Sequence, residues 1–111
     1  MRVDELLSVL DEAAPAALAE DWDNIGLMVG RRSGESPGVL VALDLRAGVI
    51  AEARERGWGI ILTHHPLVFP ALASVTPATS AGGLALEAAE AGIAVIAAHT
   101  NLDAAPGGLN D

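Results

Sequence analysis

With 111 residues and 51% hydrophobic content, the chain can build one modest domain with an ample core. Fifteen acidic residues against six basic ones, all arginine, set the formal charge at −9, which excludes the extended basic footprint that DNA or RNA binding needs. The absence of cysteine removes disulfides, thiolate metal sites and cysteine nucleophiles.

No apolar run nears the ~20 residues of a membrane span. Acids within Met1 to Asp11 speak against a signal peptide, so a cytoplasmic protein is expected. Val3, Leu6, Leu7 and Leu10 recur at helical spacing, and Asp4 and Glu5 suit the positive end of that helix. Pro15 to Leu18 reads as a short turn and 20–24 as a loop. Ile25 to Gly30 is a short strand and Arg31 to Gly38 a polar connection. Val39 to Asp44 is a continuous apolar run and reads as a buried strand. Ala47 to Arg56 follows as a helix, with Val49, Ile50 and Ala53 on its inner face and Gly57 as its stop. A strand at Ile60–Thr63, a loop from Pro66 to Ser80, a helix from Gly82 to Ala91 and a strand at Ile93–Ala98 complete the pattern.

Strand, helix, strand, helix, strand is a βαβαβ unit. It predicts an α/β fold with a mainly parallel sheet and helices packed on it. Residues 1–111 read as a single domain. The closing Gly107-Gly108-Leu109-Asn110-Asp111 reads as the entry into a further helix, so the chain is expected to be the N-terminal part of a longer one.

All three histidines follow apolar runs: His64 and His65 after Ile60–Thr63, and His99 after Ile93–Ala98. Ligands gather at the carboxyl ends of parallel strands, so these ends read as halves of one metal site. Strand alternation would point His64 and His65 to opposite faces, and Pro66 keeps His65 extended. The pair should therefore serve two neighbouring ions, or one ion plus a supporting role. Asp103 can approach His99 only if the chain turns sharply, which Asn101, Pro106, Gly107 and Gly108 permit. A carboxylate there can bridge ions ~3.5–4 Å apart. Asp44 ends its strand at the same edge and can orient a histidine or hold a water at an ion. Each feature also has a plain structural reading, with the histidines as strand caps. Asp21-Trp22-Asp23-Asn24 is either a self-bonded turn or a loop over the metal edge, where Asp23 or Asn24 meets substrate. Arg31 and Arg32 are a solvated pair or an anion clamp; Trp22, Trp58 and Met28 are packing residues. Serine hydrolysis and phosphate-loop chemistry are unsupported, with no Gly-x-Ser-x-Gly elbow and no lysine.

Three strings now stand together: Asp21-Trp22-Asp23-Asn24-Ile25-Gly26-Leu27, Thr63-His64-His65-Pro66-Leu67-Val68-Phe69, and His99-Thr100-Asn101-Leu102-Asp103 with Gly107 to Asp111. In order and spacing they resemble the YbgI-like dinuclear metal family, whose members carry the name GTP cyclohydrolase type 2 homologs. The resemblance implies a two-lobed α/β fold, assembled as a homo-oligomeric hexameric ring, and two divalent ions (zinc, iron or manganese). It implies His64 and His65 as ligands and Asp103 as a shared carboxylate, with His99 a weaker ligand or catalytic proton-handling neighbour. The family also uses a late histidine and glutamate that this sequence lacks, and Arg46 stands where threonine is usual. The implied function is metal-dependent hydrolysis, such as ring opening of a purine nucleotide. The alternative is a non-catalytic metal-binding assembly or regulatory protein, or a plain interaction domain.

Overall fold

A computed structural model describes residues 1–15, 18–19, 25–67, 72 and 74–100. Helix α1 spans Val3–Ala13. It is followed by β1 (Gly26–Val29), β2 (Val39–Ala42), α2 (Ala47–Arg56), β3 (Ile60–Thr63), α3 (Ser80–Glu90) and β4 (Ala94–Ala97). The sheet order is β1-β4-β3-β2. β2, β3 and β4 run parallel, as the βαβαβ pattern requires. β1 lies antiparallel to β4, so the sheet is mixed, and a bulge falls between Leu27 and Val29.

Period-two alternation sorts the central strands between two cores. Ile61 and Val95 pack with Ile50, Ala53 and Ala88 from α2 and α3. Ile60, Ala94 and Ile96 face the other way, against Val3 and Leu6 of α1. Both central strands are thereby buried on two sides, which makes their carboxyl ends a rigid platform.

Two expectations need correction. Val39–Ala42 is the sheet's edge strand rather than a buried one, with Val41 70% exposed. A continuous apolar run signals a strand but not whether it has two neighbours. Helix α3 begins before Gly82, because Thr79 caps it by accepting the Gly82 N–H at 3.0 Å. Gly57, by contrast, ends α2 in the left-handed conformation, its N–H bonding Ala53 O. Trp58 is a packing residue as expected: a Cβ on Gly38 would run into its indole ring. Trp22 lies outside the described residues.

Gly30 closes β1 at φ +109°, and a Cβ there would sit 2.9 Å from Ala94 Cα. Gly30→Ala combines backbone strain with a clash against β4, and should destabilise the fold by about 1–3 kcal/mol. Urea denaturation of the two proteins checks this.

Candidate metal centre

β3 stops at Thr63 and β4 at Ala97, so His64, His65 and His99 all lie just beyond the ends of the two central strands. One ring nitrogen from each of them lies within 4.8 Å of the other two. The ring centroids are 5.4 Å apart for His64 and His65, 5.1 Å for His64 and His99, and 5.6 Å for His65 and His99. Around tetrahedral zinc, with bonds of 2.0–2.1 Å, ligand atoms stand ~3.4 Å apart. Holding an ion between them would therefore draw the three rings inward.

This geometry overturns the expectation that His64 and His65 face apart. Regular alternation ends with β3. Beyond it, the His64 N–H donates to Ala42 O (3.2 Å) and the next amide, of His65, donates to Leu43 O (2.9 Å). Successive amides turned to the same neighbouring strand break the pleat, and both rings reach His99.

Hydrogen bonds to the rings choose the tautomer. His64 Nδ1 lies 2.7 Å from Ala98 O, a carbonyl that can only accept. His65 Nδ1 lies 2.7 Å from Asp44 Oδ1, where the carboxylate accepts. Both assignments put the proton on Nδ1 and the lone pair on Nε2, the form in which imidazole ligates a metal. Three imidazoles, two of them with that partner in place, fit a divalent transition ion. Asp44 Oδ2 is also 3.7 Å from Arg46 Nη2, an exposed pair that contributes little energy.

Asp103, Asn101, Asp23 and Asn24 lie outside the described residues. Arg31 shares a cleft with Gly59, Gly92 and Ala94, at the opposite end of the strands from the histidines. Sequence reasoning missed two contributors. The Ala98 carbonyl carries no sequence signal, whereas the hydroxyl of Thr63, closing an apolar run, was visible. Its hydroxyl donates to His65 O at 2.8 Å.

Asp44→Ala removes the acceptor that fixes the His65 ring, and partners of this kind are worth ~10–100-fold in metal affinity. A loss in that range is expected in zinc titrations, with Asp44→Asn retaining part of the affinity because its carbonyl can still accept.

The model of the Duf34/NIF3 (NGG1p interacting factor 3) family matches residues 1–111. The chain belongs to that family. A Clostridium perfringens relative named GTP cyclohydrolase 1 type 2 homolog is 40% identical over 111 residues, covering 100% of this chain and 42% of the relative. The crystal structure of Staphylococcus aureus protein SA1388 superposes with a TM-score of 0.92 at 41% identity, covering 99% of this chain and 31% of that one. Protein ybgI, described as of unknown function, shares the fold, with a TM-score of 0.77 at 19% identity over 96% of this chain and 42% of that one. The chain thus spans less than half the length of the relatives it matches. Among the described residues, no helix is long and apolar enough to cross a membrane.

Proposed function

We propose that this chain supplies the histidine half of a divalent metal centre in a metal-dependent hydrolase of the GTP cyclohydrolase type 2 homolog kind. The observation that carries the reading is the convergence of His64, His65 and His99 within 4.8 Å, with Asp44 and the Ala98 carbonyl holding two of the rings. Divalent ions held there would lower the pKa of a bound water and polarise a scissile bond. His64 and His65 bind, and Asp44 keeps the His65 ring turned toward the centre. His99 completes the set or handles a proton, and Asp103 is the shared carboxylate in the two-ion form. A cleft of about 920 Å³ runs from Asp44 and Arg46 to Thr79 and Glu87, within the range of small-molecule sites. It offers room for a purine nucleotide. A cytoplasmic homo-oligomer, of the ring type, completes the proposal.

The test is ring opening of GTP, followed by chromatography of nucleotides incubated with the zinc-, iron- and manganese-loaded protein. Turnover that disappears in His99→Ala supports hydrolysis. One observation favours a non-catalytic metal-binding role: Asp44, the carboxylate beside the cluster, is already engaged by His65 and Arg46. Tight metal binding with no turnover on any nucleotide would favour that second reading.

A further inference from the structure

We propose that Thr63 is a positioning residue for the metal centre, its hydroxyl setting the turn that brings His64 and His65 to one side. The inference rests on the metal-centre reading above. Thr63 is 1% exposed and ends β3, where a side chain this buried has no solvent partner. Its main chain and its side chain act in different directions. The Thr63 carbonyl accepts the Ala98 N–H at 3.0 Å and so pins β3 to the end of β4. Its Oγ1 reaches forward and donates to the His65 carbonyl at 2.8 Å.

That second bond spans the position where alternation fails. In a regular parallel strand successive amides point to opposite sides. Here both His64 and His65 donate toward β2, to Ala42 O and Leu43 O, which requires the intervening peptide to rotate. The Thr63 hydroxyl holds the His65 carbonyl in the rotated position. A local hydroxyl-to-backbone bond of this type competes with a straight strand. Asp44 then fixes the ring of His65, so this residue is held at two points: main chain by Thr63 and imidazole by Asp44. Small displacements of supporting groups are what a ligand set tolerates least.

Valine keeps the β-branch and nearly the volume, so β3 itself should survive Thr63→Val. Released from the hydroxyl, the His65 carbonyl can turn back toward the regular strand and carry its ring away from His99.

The experiment compares the parent chain with Thr63→Val, Thr63→Ser and Thr63→Ala, each stripped of metal and titrated with zinc against a chromophoric chelator, with thermal melts alongside. Thr63→Val should bind zinc ~10–100-fold more weakly, as outer partners of ligands do, while melting as a folded protein. Thr63→Ser should restore binding to near the parent's. Should the valine variant fail to fold, the serine and alanine variants decide: both lack the methyl group and only serine keeps the hydroxyl. Affinity that tracks the hydroxyl supports the positioning role. Equal affinity with and without it, in folded proteins, overturns that role and leaves the metal centre standing. A parent chain that binds no zinc overturns both.

Discussion

Replacing His65 with alanine is expected to weaken zinc binding by more than ~100-fold, beyond the cost of losing an outer partner. The expectation follows from the donor count. Three imidazoles converge, and three protein ligands are the minimum on which open zinc sites are ordinarily built. With two left, the geometry no longer encloses an ion, and Asp44 is left facing the gap without the ring it orients. The fold should hardly notice. The His65 side chain is 45% exposed, and surface substitutions of this kind usually change stability by no more than about 0.5 kcal/mol. A chelator competition titration, paired with urea denaturation, reads both quantities on one preparation. Loss of stability in step with loss of affinity would instead make His65 a strand cap.

Ile61→Ala should produce the largest loss of stability, about 2–5 kcal/mol in denaturant unfolding, by leaving a cavity where two helices meet the sheet. Ile61 is fully buried in a central strand, packed in one cluster with Ile50, Ala53, Ala88 and Val95. Against the ~5–15 kcal/mol that usually stabilises a domain, this is a severe effect. The same truncation at Val41, 70% exposed on the edge strand, should cost at most about 0.5 kcal/mol. Zinc offers an internal check. A ligand held only by the folded state stabilises it by about 2.7 kcal/mol at 100 times its Kd. Saturating zinc should therefore raise the midpoint of Ile61→Ala, and should fail to do so once His65→Ala is added.

The βαβαβ core was legible because its signals are local and mutually consistent. Val49, Ile50 and Ala53 marked the inner face of α2, and Gly57 marked its end. The gathering of the histidines at strand ends followed from the same pattern. What escaped were features that depend on neighbours. Val39–Ala42 looks identical whether a strand lies on both sides or one. The antiparallel course of β1 is decided by its pairing with β4 and not by its own residues. Thr79 has the composition of a loop residue, and its capping role shows only once Gly82 donates to it. Alternation extended past the end of β3 predicts that the rings of His64 and His65 diverge, and the strand does not continue that far. The break occurs at Thr63, whose hydroxyl was in plain view but whose target, a main-chain carbonyl, was not.

The most direct test is the metal content of the purified 111-residue protein, measured by elemental analysis beside its His64→Ala/His65→Ala double variant after both have been exposed to zinc and dialysed. At least about one equivalent of metal in the parent, lost from a double variant that remains folded, is the predicted result, since three imidazoles suffice for a first ion. A parent without metal, or a variant that retains as much as the parent, would contradict the assignment of these histidines to a metal centre.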